Sequence, residues 1–173
     1  MLEKIEKVLM PLAEAIGKNK YLIAIRDGFL ISTPLLIAGS IFLIIGNLPV
    51  PGFSEWCESI AIGDGNLAAY LSKPSDVTFG LMAVFATFGI AYSYASQIKT
   101  DKVFSAAAAL MAWFLIMPFT VSGTVDVNGT AVDAVLSGIP LGWVGANGIF
   151  VGIFCAFGAT ALYAGVKNRG WVI

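Results

Sequence analysis

Long uncharged apolar blocks separated by short polar stretches set the layout of this chain. The first, Phe29 to Leu48, is twenty residues without a charge, the length a helix needs to cross a hydrocarbon core of ~30 Å. It holds twelve Leu, Ile and Phe side chains. Each favours insertion by up to ~0.6 kcal/mol at mid-bilayer, several kcal/mol in sum before Ser32, Thr33, Pro34, Gly39 and Ser40 subtract. Similar blocks follow at 77–98, 103–121 and 141–166. The pattern predicts an all-α integral membrane fold with about four transmembrane helices. Ahead of them, Leu2, Ile5, Leu9, Leu12 and Ile16 recur at helical spacing among Glu3, Lys4, Glu6, Lys7 and Glu14. This predicts an amphipathic helix over 1–20, bent at Pro11, lying in the membrane interface or on a partner.

The polar stretches carry turn signals. Pro49, Pro51 and Gly52 end the first block, and Gly63-Asp64-Gly65-Asn66 reads as a turn rather than a phosphate or calcium loop. Trp56 and Tyr70 are placed for headgroup level. Thr124 to Val127 and Thr130 to Asp133 alternate polar and apolar residues around Asn128-Gly129. Both central positions of a type I′ turn need positive φ, so a short extracellular β-hairpin is expected near 122–133. Within the blocks, Ala83, Thr87, Ala91 and Ala95 form a stripe of small residues. Gly148 and Gly152 form a GxxxG pair, another helix-packing device. Asn147, an amide inside the fourth block, calls for a hydrogen-bond partner.

Composition agrees: 58% of residues are hydrophobic, 12% charged, and mean hydropathy is +0.85. A net charge of −1 without a basic run argues against nucleic acid as a partner. Position matters more than sum. Nine basic residues (Lys4, Lys7, Lys18, Lys20, Arg26, Lys99, Lys102, Lys167, Arg169) fall on one side of the predicted spans and only Lys73 on the other. By the positive-inside rule both termini are cytoplasmic. Cys57, in a polar connection, and Cys155, inside an apolar block, are read as free thiols at different depths. With no histidine and no Cys-x-x-Cys, zinc sites and histidine chemistry are not expected. No charge lies inside the four blocks, so proton relays and cation sites have no visible machinery. Walker, GxSxG and carboxylate-pair motifs are missing too, and no catalytic residue, cofactor or metal is assigned. Arg26-Asp27, at the predicted helix start, remains. The acid suits the helix N-terminal dipole and the arginine can reach phosphates or acidic partners, while the plain alternative is a topological anchor.

Pro11-Leu12-Ala13, Ile16-Gly17, the run Ala24-Ile25-Arg26-Asp27-Gly28-Phe29, Pro34 five residues on, and Gly39-Ser40 together resemble the start of enzyme IIC of the bacterial phosphoenolpyruvate sugar phosphotransferase system. The branch is the lactose/cellobiose/diacetylchitobiose one. The likeness continues through Thr78-Phe79-Gly80, Gly89-Ile90-Ala91-Tyr92, Leu141-Gly142 and Gly148-Ile149-Phe150, and so spans the chain. It implies a multi-pass permease subunit of the inner (plasma) membrane with a cytoplasmic N-terminus. Such a subunit works as a homodimer and takes up a disaccharide that cytoplasmic IIB phosphorylates, with IIA, HPr and enzyme I upstream. It also implies that residues 21–173 are part of the dimer-interface portion, supplying scaffold and dimerisation; within it Arg26 and Asp27 are the candidates for a contact with IIB or for a helix-entry motif. The family's sugar site uses a histidine and a glutamate in a later domain, so the chain is expected to stop short of it and no sugar-binding residue is carried over. The reading from another class is a self-contained membrane scaffold or small oligomeric channel.

Overall fold

A computed structural model describes residues 17–127 and 130–171, with Met10 and Glu14, the side chains of 126, 127 and 130 excepted. Most of the helix expected over 1–20 lies outside these residues. The elements run α1 (Lys20–Gly46), α2 (Phe53–Ser59), β1 (Ala61–Ile62), β2 (Gly65–Asn66), α3 (Leu67–Gly80), α4 (Met82–Gln97), α5 (Lys102–Ile116), β3 (Thr120–Val127), β4 (Thr130–Ser137), α6 (Leu141–Val144), a 3-10 turn (Ala146–Gly148) and α7 (Ile149–Asn168). Among the described residues the fold is largely helical with two small β-hairpins. Two helical runs among the described residues are each long and apolar enough to cross a membrane, Lys20–Gly46 and Ala146–Asn168. A third arises if α3 and α4, bent by 41° at their junction, count as one span.

The departures from the expected spans have local causes. Helix α1 starts nine residues before the apolar block, because Lys20 to Asp27 contains no proline or glycine to stop it. The block at 77–98 breaks at Leu81, whose φ of −108° and ψ of 18° leave the helical region. The block at 103–121 stays helical only to Ile116, about 22 Å of helix. Pro118 follows, the preceding residue is disfavoured in α geometry, and β3 begins at Thr120. The block at 141–166 opens with one short turn of helix, turns at Gly145 (φ −82°, ψ −162°), and becomes continuous helix only from Ile149. The hairpin strands pair antiparallel from Thr120↔Ser137 to Val127↔Thr130, longer than the sequence pattern suggested. Asn128 and Gly129 themselves lie outside the described residues.

The chain divides into two compact units. One comprises the chain up to Ile31, Ala86–Trp113 and the chain from Val151. Its core is built from Ala86, Ile90, Ala91, Ala106, Ala109 and Ala156, with Ile25, Phe29, Ile153 and Phe157 packed around them. Small core residues suit a membrane interior. Lipid tails are as apolar as leucine, so helices associate by close van der Waals packing rather than by escape from water. Tyr21 stacks on Tyr94 at 5.3 Å, and Phe157 meets both edge-on at 5.2 and 5.0 Å.

The other unit comprises Ser32–Phe85 and Phe114–Phe150. The Asn66 side chain accepts the Ala69 amide at 2.9 Å and so caps α3. Along α3 the hydroxyls of Ser72, Ser75 and Thr78 donate to carbonyls of their own helix at 3.0, 2.7 and 2.8 Å. That leaves few polar groups in need of an outside partner. Gly63 turns β1 into β2 at a φ of 57°, as the Gly-Asp-Gly-Asn signal predicted. In both units large apolar side chains face outward: Leu115, Phe150, Phe154 and Leu162 keep 72% or more of their surface exposed. A protein in water avoids such a pattern, and a bilayer favours it.

Candidate functional site

The Arg26 guanidinium closes onto the next residue, with Nη2 2.7 Å and Nε 2.8 Å from Asp27 Oδ1. Both side chains keep access to solvent. An exposed pair of this kind contributes no more than ~1 kcal/mol to stability. Because α1 starts at Lys20 and has no acidic residue in its first turn, Asp27 sits two turns into the helix. The helix dipole therefore does not account for its position, since that effect fades within the first turn.

The next residue, Gly28, is where the motif meets the fold. A methyl group at Gly28 would lie 2.5 Å from the Ile90 amide nitrogen and 2.6 Å from the Ile90 Cα. One at Gly89 would run into the Gly28 carbonyl oxygen and lie 3.1 Å from the Gly28 Cα. Helices α1 and α4 thus cross backbone to backbone at a glycine pair. Eleven residues later, on the same face of α1 because eleven residues complete three turns, a methyl at Gly39 would fall on Thr78 of α3. The signal for both contacts was present in the sequence. An isolated glycine inside a helix costs ~1 kcal/mol relative to alanine and asks for a packing reason.

The other residues singled out by sequence fall as follows. Ala83, Thr87, Ala91 and Ala95 are all completely buried. Gly148 is buried in the 3-10 turn, and a methyl there would strike the carbonyl of Trp143 in the preceding turn and lie 3.4 Å from the Ala83 Cβ. The turn itself therefore requires glycine at 148. Gly152 is buried within α7. Asn147 is exposed in the same turn, not a buried amide in a span, because the helix there has not yet begun. Cys57 and Cys155 are both free, and Cys57 is only 2% exposed although its surroundings in sequence are polar. Among the described residues no group of His, Cys, Asp or Glu is gathered to hold a metal ion. The hydroxyls of Thr87, Ser105 and Thr160 are buried without a hydrogen-bond partner.

Residues 26–173 match the family model described as "Phosphotransferase system, EIIC". The chain is 38% identical over 169 residues to the PTS system cellobiose-specific EIIC component of Geobacillus stearothermophilus, covering 98% of this chain and 37% of that protein. It is 37% identical over 168 residues to the lichenan permease IIC component of Bacillus subtilis, covering 97% and 36%. Among solved structures it superposes on the transporter ChbC, the IIC component of the N,N'-diacetylchitobiose-specific system, with a TM-score of 0.83 at 36% identity. That match covers 98% of this chain and 38% of ChbC. The chain therefore spans between a third and two fifths of the length of these relatives. The matched span, beginning at the Arg26-Asp27-Gly28 motif and carrying the glycine crossings of α1, identifies this chain as a member of the phosphotransferase system EIIC family.

Proposed function

We propose that this chain belongs to a sugar permease that takes up a disaccharide of the cellobiose, lactose or chitobiose type, coupled to phosphorylation by a cytoplasmic IIB protein. The observation that carries this is the match to EIIC relatives over nearly the whole chain, two of them named for cellobiose and diacetylchitobiose. IIA, HPr and enzyme I would supply the phosphate in turn. Within the permease, residues 21–173 serve as scaffold and in homodimerisation, and no sugar-contacting residue is assigned to them.

In this reading the chain crosses the inner membrane four times: α1, the bent α3–α4 pair, α5 with the residues following it, and α7. The N-terminus is cytoplasmic and the β3–β4 hairpin extracellular. Charge supports the orientation. The unit with the start of α1, the α4–α5 turn and the end of α7 carries nine Lys and Arg against five Asp and Glu, while the other carries Lys73 against six. Arg26, exposed beside Asp27 at that basic end, is the side chain proposed to meet IIB.

The experiment is uptake by cells expressing the whole gene in a host lacking its own β-disaccharide permeases. Labelled cellobiose, diacetylchitobiose and lactose are offered with IIB present. Accumulation of phosphorylated sugar that requires IIB and phosphoenolpyruvate supports the proposal. Solute entry that needs neither favours a channel, and the absence of uptake for all three sugars refutes the substrate class.

A further inference from the structure

A basic concavity of about 450 Å³ lies where the α4–α5 turn meets the end of α7, lined by Tyr92, Lys99, Thr100, Asp101, Lys102 and Lys167. Three lysines face one carboxylate. Asp101 Oδ2 is 3.5 Å from Lys167 Nζ, and Lys102 Nζ lies 5.5 Å from the centre of the Tyr92 ring. Lys99 stands in the left-handed region at a φ of 55°, a backbone state that non-glycine residues rarely adopt. The Thr100 hydroxyl oxygen in the wall is shielded from solvent and has no hydrogen-bond partner. These groups suit a small anion that accepts several hydrogen bonds at once.

Directly along the same two helices the surface turns apolar. Val103 and Phe104 on α5 and Leu162 and Val166 on α7 are exposed, Phe104 by 65%. The rings of Phe104 and Tyr163 stack at 6.5 Å, which holds the two helix ends side by side. A basic cleft continuous with an uncovered apolar strip fits an amphiphile. A free phosphate would satisfy the lysines and leave the strip bare. We propose that this cleft binds the phosphate head of an anionic phospholipid, with its acyl chains along Phe104 and Leu162. Clefts of lysines between transmembrane helix ends suit such headgroups, each lysine near the surface strengthening binding about fivefold. The inference rests on membrane insertion and not on the transport reading, so a protein that moves no sugar would still retain the lipid.

The test is native mass spectrometry of the full-length protein released from detergent after exchange into phosphatidylglycerol or phosphatidylcholine. Phosphatidylglycerol should be retained at least about tenfold more than phosphatidylcholine. The triple variant Lys99→Gln/Lys102→Gln/Lys167→Gln should lose that preference, while Lys73→Gln should keep it. Asp101→Asn removes the competing carboxylate and only one exposed ion pair, so it keeps the test open if the triple variant fails to fold. Its retention of phosphatidylglycerol should rise about two- to fivefold. Equal retention of the two lipids by the unmodified protein, an unchanged preference in a folded triple variant, or no rise in Asp101→Asn would overturn the proposal. Displacement of the bound lipid by millimolar inorganic phosphate would assign the cleft to the free anion instead.

Discussion

Replacing Gly28 with alanine adds one methyl group and tests the α1–α4 crossing directly. The new Cβ would sit 2.5 Å from the Ile90 nitrogen and 2.6 Å from its Cα, whereas carbon atoms pack comfortably at about 3.5–4.0 Å. Neither neighbour can rotate away, since both are backbone, so the helices must part by about 1 Å. Overpacking of this kind costs about 1–3 kcal/mol. Alanine returns about 0.8–1 kcal/mol of helix propensity. With two backbone atoms in the way the cost falls in the upper part of that range, about 2–3 kcal/mol, and the net is a loss of about 1–2 kcal/mol. For a chain of this size 1 kcal/mol moves the midpoint by about 2–4 °C, so Tm should fall by about 2–8 °C. The two buried cysteines, Cys57 and Cys155, make a thiol-reactive fluorogenic dye a suitable reporter of thermal unfolding in detergent. Gly158→Ala is the matched control. It lies in α7 with nothing within 4 Å of the added methyl, so it should leave Tm unchanged or raise it. If Gly28→Ala melts with or above Gly158→Ala, the crossing is not as close as described and the packing argument fails.

Three further predictions follow from neighbouring contacts. Gly39→Ala should lower stability by about 1–2 kcal/mol. Adding Thr78→Ala should recover only part of that, because the Thr78 Cβ would still lie 2.8 Å from the new methyl; full recovery, or no loss at all, contradicts the contact. Arg26→Ala should change stability by less than ~1 kcal/mol, since its pair is exposed, yet reduce IIB-dependent sugar phosphorylation in the whole permease; unimpaired phosphorylation would leave Arg26 an anchor. Orientation is checked with Ser54→Cys, an exposed position on α2. An impermeant maleimide should label it in intact cells while buried Cys57 reacts slowly, and labelling only in inverted vesicles would reverse the proposed topology.

The helices and family were legible in the sequence to different depths. The uncharged block after Phe29 announced α1, and the motif from Ala24 to Phe29 carried the family resemblance that the comparisons bear out. The Asn-Gly hairpin signal was also sound, as the pairing of Val127 with Thr130 shows. What misled was equating an apolar block with one straight helix. Residues 77–98 and 141–166 are apolar throughout their centres, yet one bends at Leu81 and the other turns at Gly145 before α7. Apolarity measures affinity for lipid and is silent about local φ and ψ. Asn147 misled for a related reason: its apolar neighbours in sequence placed the amide inside a span, and the fold exposes it in the turn before α7.

By itself the sequence determined that this chain carries membrane-spanning helices, because the free energy of insertion is summed residue by residue along a segment and needs no knowledge of neighbours. It determined the family too, through the motif around Arg26, Asp27 and Gly28. Only the tertiary structure decided why Gly28 is glycine: its partner, Gly89, is sixty-one residues away in sequence, and the need for a missing side chain arises only where two backbones meet. The same holds for Gly39 against Thr78 and for the lysines of the α4–α5 turn beside Lys167. Close approach between distant segments depends on how helices cross, and no local pattern encodes which face will be met.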